Sequence, residues 1–210
     1  MEAGSLHNRV AVVTGASSGI GAAVARALNA GGARSEECSY ERQTRLSRSA
    51  PRRKDGKLSI FPTHILLATD GSAHADLAAE VATDLAQSTG SRLHVVAVGR
   101  TFPAAVYDEY AEAQRDDLKK EAQEILDEQV RKIEEAGGTV AVAHLKMDEE
   151  RDEAIVHLAE DIDASMIVIG SRGFGGMKRA LMGNVADSVV RHAHCPVLVV
   201  RPTGGTSRPF

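Results

Sequence analysis

Short apolar runs alternate with longer amphipathic segments through the last two-thirds of the chain, and few folds accommodate such a pattern. The short runs consist mostly of Val, Ile, Leu and Ala, as in strands that are buried on both faces of a sheet. In the segments between them, apolar residues recur every three or four positions, the period of a helix with one buried face. The predicted strands lie at 65–68, 93–98, 139–145, 166–169 and 197–200.

The alternation predicts βαβ units with right-handed crossovers. We therefore expect an α/β fold with an open, mostly parallel five-stranded sheet and helices on both faces. The longest helix is expected near 107–136, with a stripe at Leu118, Ala122, Ile125, Gln129 and Ile133. Ligands of such sheets bind at the carboxyl ends of strands, which here points to the loops after 65–68 and 166–169.

Composition excludes several classes of function. An apolar fraction of 43% is enough for a core, whereas a net charge of −4 gives no general attraction to nucleic acid or anionic membranes. No apolar run approaches the ~20 residues that span a bilayer. The N-terminus does not resemble a secretory signal, and the two cysteines, Cys38 and Cys195, lack metal-ligand spacing. These features favour a cytoplasmic protein with neither nucleic-acid nor membrane partners.

The chain divides into four parts. Residues 1–33 contain a short apolar run, a glycine-rich turn and a helical pattern, and 61–203 form the main domain. Residues 34–60 hold Arg and Lys among Ser, Thr and Gln, with too little apolar surface to order, and are expected to be a disordered basic linker. A nucleic-acid contact by this tract is the weaker alternative, because no aromatic or structured element accompanies it. A disordered tail is expected at 204–210.

A glycine-rich loop follows the fourth strand. Gly170, Gly173 and Gly175 allow backbone N–H groups to approach phosphate oxygens closely, and successive N–H groups form an anion-binding nest. Gly183 and Asn184 precede a helix expected at 185–191, whose N-terminus favours a second phosphate. Glycine richness alone is equally compatible with a turn that only reverses the chain.

The spacing of Gly170, Gly173 and Gly183 resembles the ATP-binding signature of the universal stress proteins. The opening strand with its acidic turn at 69–72, the second strand and the closing strand also look like those of the family, in the same order. The resemblance covers about two-thirds of the chain. It implies a Rossmann-like fold of the adenine nucleotide α-hydrolase type, ATP with Mg²⁺ or Mn²⁺ as ligand, and a homodimeric regulator in stress response.

The resemblance also implies roles for individual residues. Asp70 would lie near the ribose and a phosphate-bound divalent ion, so that the protein alone would not hold the metal. Ala68 and Thr69 would line the adenine side, and Val98 would meet adenine through its backbone. The complete set implied for nucleotide binding is Ala68, Thr69, Asp70, Ser72, Val98, Gly170, Ser171, Arg172, Gly173, Gly175, Gly183, Asn184 and Val185. The dimer seam implied is the last strand, with Val197, Leu198, Val199 and Val200.

Two positions depart from the family pattern. Asn184 stands where the family usually has Ser or Thr, and 146–149 replaces a Gly-x-Pro turn. Asn184 weakly favours an alternative, an interaction module of the same fold that does not bind ATP. Asp70 could instead only cap the following helix. No catalytic base accompanies the loop, so we expect no enzyme, or at most slow ATP hydrolysis.

The segment 14–21 after the first apolar run resembles the cofactor-binding opening of short-chain dehydrogenases. The rest of such an enzyme is missing: the basic tract stands where the second strand should follow, and no Tyr-x-x-x-Lys pair occurs. We therefore interpret 1–33 as a truncated βα fragment, and an NAD(P)-dependent oxidoreductase as the least favoured function.

Overall fold

The computed structural model describes residues 10–14, 34–38, 63–101, 109–174 and 182–202. Strands and helices alternate from His64 onward, as the sequence pattern predicts. The elements are β1 (Val10–Thr14), β2 (Arg34–Cys38), β3 (His64–Thr69), α1 (Ala73–Thr89), β4 (Arg92–Arg100), α2 (Glu109–Glu135), β5 (Val140–Asp148), α3 (Arg151–Asp161), β6 (Met166–Gly170), α4 (Asn184–His192) and β7 (Val197–Arg201).

The strands from β3 to β7 form a parallel sheet, which confirms the predicted five-stranded core. The order of the whole sheet is β2-β1-β7-β6-β3-β4-β5. After β3 the chain adds β4 and β5 on one side, then crosses to place β6 and β7 on the other. The strand order therefore switches between β3 and β6, and the loops that follow these two strands meet at one edge of the sheet.

Alternate residues of the central strands supply two separate cores. Ile65 and Leu67 of β3 face α1 and α2, together with Leu126 of the latter helix. Leu66 and Ala68 face the opposite side, where α3 and α4 cover the sheet. This period of two, with both faces buried, is why β3 is apolar at nearly every position.

Local chemistry fixes both ends of α1. Ser72 is the N-cap, and its side chain accepts a hydrogen bond from the N–H of Ala75. Gly90 ends the helix in the left-handed conformation, with φ 67°, and returns its N–H to the carbonyl of Ala86. At 146–149, where no Gly-x-Pro turn occurs, β5 continues through Asp148.

The N-terminal strands differ from the prediction. Arg34–Cys38 forms β2, although it lies in the stretch predicted as a disordered linker, and β1 joins the sheet instead of standing apart from it. Non-local pairing outweighs composition here, since the apolar edge of β7 offers unpaired main-chain groups to any strand that can reach it. The remaining linker positions 39–60, the predicted helix in 1–33 and the tail 204–210 lie outside the described residues. Among the described helices, none is long and apolar enough to cross a membrane.

Candidate functional site

A cavity of about 560 Å³ opens where the carboxyl ends of β3, β4 and β6 meet. This volume is within the range of small-molecule and cofactor sites. The lining residues come from the sheet, the loops after β3 and β6, and the adjoining helices. They are Ala68, Thr69, Asp70, Ala75, Val96, Ala97, Val98, Gly99, Arg100, Leu118, Glu121, Ala122, Ile125, Arg151, Ile155, Ile169, Gly170, Arg172, Gly173, Phe174, Met182, Gly183, Asn184, Val185 and Ala186.

The turn after β3 is held by hydrogen bonds to its own side chains. Asp70 Oδ1 accepts from the N–H of Ser72 at 3.0 Å, and Thr69 Oγ1 accepts from the N–H of Gly71 at 3.2 Å. Gly71 has φ 80°, a conformation that side chains disfavour. Because Ser72 is the helix cap, the alternative that Asp70 serves only as a cap is disfavoured. Asp70 instead orders the turn with one carboxylate oxygen.

A buried contact supports this turn from below. Thr69 Oγ1 donates to Gln129 Oε1 of α2 at 2.8 Å, and both residues are buried. A polar pair inside the core is stable only when its hydrogen bonds are made. Gln129 thus connects the longest helix to the residue immediately before Asp70.

The glycine loop after β6 is tied to both neighbouring elements. The N–H of Ser171 donates to the carbonyl of Val200 at 2.7 Å, and the N–H of Gly183 donates to the carbonyl of Ser171 at 2.8 Å. A Cβ at Gly170 would lie 2.8 Å from the carbonyl atoms of His74, so only glycine fits this approach. The two ends of the loop are therefore brought together, as two phosphate cradles require.

Two predicted site residues support the loop instead of lining the cavity. Ser171 is buried beside His74, whose Nδ1 lies 3.0 Å from its hydroxyl. Ser72 is also buried, and its hydroxyl donates to the carbonyl of Arg172 at 3.4 Å. Both hydroxyls position the glycine loop from beneath. Gly175 lies outside the described residues.

The start of α4 faces the cavity. Gly183 is its N-cap, and no side chain among the described residues hydrogen-bonds there as a cap. The first N–H groups of a helix have no partner within the helix and carry its positive end. Asn184, Val185 and Ala186 are among the lining residues, so this end is directed at any molecule bound in the cavity.

Charged groups of both signs surround the cavity. Asp70 and Glu121 contribute carboxylates, and Arg100, Arg151 and Arg172 contribute guanidinium groups. The Nε atom of Arg172 is buried and makes no hydrogen bond within the described part of the chain. Burial, followed by the charge of Arg172, lowers the pKa of His74, against the opposing effect of Asp70. An anion next to Arg172 would satisfy a donor that is otherwise unpaired.

The wall formed by the helices was not expected from the sequence. Leu118, Ala122 and Ile125 of α2 were predicted only as a core stripe, yet they line the cavity. Arg151 and Ile155 of α3 also line the cavity, and neither was predicted as a site residue. In the described ranges, no three His, Cys, Asp or Glu side chains are grouped so that they could hold a metal ion.

Comparisons with known proteins agree with this geometry. The model of the universal stress protein family matches residues 62–201. The universal stress protein YxiE of Bacillus subtilis is 32% identical over 146 residues, which are 65% of this chain and 97% of that protein. A putative universal stress protein of Staphylococcus saprophyticus is 35% identical over 146 residues, 65% of this chain and 82% of its own length. The family match begins at residue 62, so it gives no support to the dehydrogenase-like fragment at the N-terminus.

Solved structures of universal stress proteins share this fold. UspA from Lactobacillus plantarum, with 23% identity and a TM-score of 0.58, covers 67% of this chain and 99% of its own, and shares the fold. A universal stress protein from Archaeoglobus fulgidus in complex with dAMP is 26% identical, with a TM-score of 0.50 and coverage of 67% and 98%. The crystal structure of a universal stress protein in complex with cAMP is 25% identical, with a TM-score of 0.52, and covers 69% of this chain and 99% of its own. The family model matches residues 62–201, more than half of the chain, and the chain belongs to the universal stress protein family.

Proposed function

We propose that the chain binds an adenine nucleotide, ATP with Mg²⁺ or Mn²⁺, in the cavity at the switch between β3 and β6. The observation that carries this proposal is the meeting of three features at one opening. These are the carboxylate of Asp70, the glycine loop at Gly170 and Gly173, and the helix N-terminus at Asn184. Together they offer a metal ligand and two groups of N–H donors to a chain of phosphates.

Each feature has a distinct role in the proposal. The backbone at Gly170 and Gly173 and the guanidinium of Arg172 hold the phosphates, and Asp70 orients the divalent ion that the phosphates bring. The adenine and ribose lie against the more apolar part of the cavity, which includes Ala68 and Val98. Structures of family members with dAMP and cAMP support an adenine nucleotide as the ligand class.

The proposed biological role is a nucleotide-dependent regulator in the stress response. No residue is assigned as a catalytic base, so ATP acts as a bound signal and its hydrolysis, if any, is slow. The proposed oligomer is a homodimer through Val197, Leu198, Val199 and Val200 that forms when this strand edge is free, and the proposed location is the cytoplasm. Both stay predictions from the sequence and the family.

The second candidate is an interaction module that has lost ATP binding. Asn184 is the observation that favours it, since the family usually has a hydroxyl residue there. Asn184 nevertheless begins α4 at the cavity, and its amide can donate a hydrogen bond. We therefore rank this candidate second.

Isothermal titration of the full chain with ATP and Mg²⁺ tests the proposal, with dAMP, cAMP and NADPH as parallel ligands. We expect ATP to bind and NADPH to give no heat. Binding of dAMP or cAMP without ATP would retain the adenine site but reject the triphosphate. No heat from any adenine nucleotide would favour the interaction module. Binding of NADPH alone would favour the NAD(P)-dependent oxidoreductase.

A further inference from the structure

The main-chain groups on the outer edge of β7 follow from its pairing with β6. The N–H of Ile167 donates to the carbonyl of Pro196, and that of Ser171 donates to the carbonyl of Val200. Alternate residues of a strand direct their N–H and C=O groups to opposite sides. The groups of Leu198 and Val200 thus face β6, and those of Val197, Val199 and Arg201 face outward.

β1 lies on this outward edge. It runs antiparallel to β7, with Val12 opposite Val199 and Val10 opposite Arg201. These are the pairs in which main-chain hydrogen bonds form, because Val199 and Arg201 direct their groups toward β1. The first strand of the chain therefore occupies the edge of the family domain.

Because β1 and β2 extend the sheet beyond β7, the edge on this side is formed by the charged strand β2 and no longer by the apolar strand β7. β2 lies beyond β1 and parallel to it, and its sequence, Arg-Ser-Glu-Glu-Cys, has charged residues at three of five positions. Charged edge strands discourage further strand addition. With β1 and β2 in place, the edge of β7 at 198–201 is no longer open to another chain.

A second copy of the chain would need the same surface. A twofold seam between identical strands is self-complementary and antiparallel. It would use the outward groups of Val199 and Arg201, which β1 already occupies. The strand β1 and the β7 of a second copy are therefore mutually exclusive partners.

We infer that Val10–Thr14 is an intramolecular competitor for the dimer seam, and that its release opens a surface that fits a second copy of this chain. With β1 docked the chain is a monomer. Undocking of β1 leaves the apolar edge of β7 free for antiparallel pairing. This inference rests on the homodimer seam of the proposed function, but not on nucleotide binding.

Disulfide trapping tests whether β1 docks within its own chain. In full-length protein with Cys38→Ala and Cys195→Ala, the pair Ala11→Cys and Val200→Cys faces across the strands at a non-hydrogen-bonded position. Such pairs have Cα atoms about 4.5 Å apart, which suits a disulfide. The matched control combines Ala11→Cys with Val142→Cys on β5, at the far edge of the sheet.

We expect mild oxidation to give an intrachain disulfide in the first variant and none in the control, on a non-reducing gel and by mass. A disulfide between two chains would show that β1 is exchanged and would overturn the inference. Absence of any disulfide in the first variant would overturn it as well.

The oligomeric state tests the competition itself. Val12→Pro removes an N–H that pairs with β7, and Ala3→Pro, upstream of β1, is the control. By sedimentation across a wide range of concentration, the unaltered chain and the control should be monomers. Val12→Pro should raise the dimer association constant by about tenfold or more. A dimeric unaltered chain, or a Val12→Pro variant that stays monomeric, contradicts the inference.

The outcomes separate this inference from the proposed function. Nucleotide binding is titrated on the same variants, and its absence throughout would reject the ligand without affecting the strand result. A correct disulfide with a monomeric Val12→Pro variant would reject the homodimer seam. A missing disulfide with intact nucleotide binding would reject only the docking of β1.

Discussion

A Cβ atom at Gly173 would lie 2.1 Å from Oδ2 of Asp70, which is less than any real contact allows. The glycine loop and the acidic turn therefore touch at this point, although about a hundred positions separate them along the chain. The same carboxylate uses its other oxygen to accept from the N–H of Ser72. A side chain at position 173 must displace Asp70 from the turn that it orders.

Gly173→Val should therefore abolish nucleotide binding while it spares the fold. The exposed position of Gly173 means that little of the core is disturbed, so the melting temperature should change by only a few degrees. Titration with ATP and Mg²⁺ measures the loss, for which we expect at least about 100-fold, or ~2.7 kcal/mol.

The control for Gly173→Val is Gly90→Asn at the end of α1. Nothing lies within 4 Å of a Cβ at Gly90, and Asn tolerates the left-handed conformation found there. Its affinity should equal that of the unaltered chain. Normal binding by the Gly173→Val variant would contradict the assignment of the phosphate loop.

Asp70→Asn should remove the contribution of Mg²⁺ to ATP affinity without removing ATP binding itself. Asn keeps an oxygen that can accept from the N–H of Ser72, so the turn is retained, but the negative charge is lost. We expect the gain in ATP affinity that Mg²⁺ provides to disappear, and binding in EDTA to be unchanged or stronger. Paired titrations with Mg²⁺ and with EDTA measure the difference. An undiminished effect of Mg²⁺ would show that Asp70 does not meet the ion.

The floor of the site could be predicted from the sequence because its signals are local. A strand followed by Thr69 and Asp70, and glycines spaced along one loop, identify the carboxyl ends of β3 and β6. Their adjacency also follows from the predicted parallel sheet. The burial of Ser72 and Ser171 could not be predicted from the sequence, since it depends on how α1 packs against the loop.

The walls of the site and the pairing at the edge of the sheet could not be predicted from the sequence, for a different reason. Leu118 and Ile125 show the same helical period whether they cover a core or a cavity, and only the packed structure distinguishes the two. The pairing of Val12 with Val199 joins strands that lie near opposite ends of the chain. The apolar pattern of each strand does not indicate which strand it pairs with.

Gln129→Leu should destabilise the fold by about 1–3 kcal/mol, because it leaves the buried hydroxyl of Thr69 without its acceptor. Combined with Thr69→Val, the same change should cost less than the sum of the two single variants, since the unpaired group is then gone. Denaturant unfolding of the four proteins measures the coupling. Strict additivity would mean that the contact does not act as a pair.

Acid should weaken the fold through a buried histidine on the central sheet. His94 is buried, its Nδ1 lies 3.1 Å from Nε2 of His144, and its own Nε2 has no hydrogen-bond partner in the described ranges. Burial, then the charges of His64, His144 and Arg92, lower the pKa of His94 to about 4. Burial also lowers the pKa of His144.

The direction of the pH effect follows from proton uptake. The pKa of His94 is about 4 in the folded chain and 6.5 ordinarily. At a pH between these two values, His94 is therefore protonated in the unfolded chain but neutral in the folded one. The stability contributed by neutral His94 is therefore complete above about pH 6.5 and is lost as the pH falls toward 4, by at most about 1.4 kcal/mol per pH unit. Urea unfolding at pH 7.5 and pH 5 should show the loss. His94→Leu should reduce that loss, with His157→Leu on the exposed face of α3 as the control. An equal loss in both variants would show that another group accounts for the acid sensitivity.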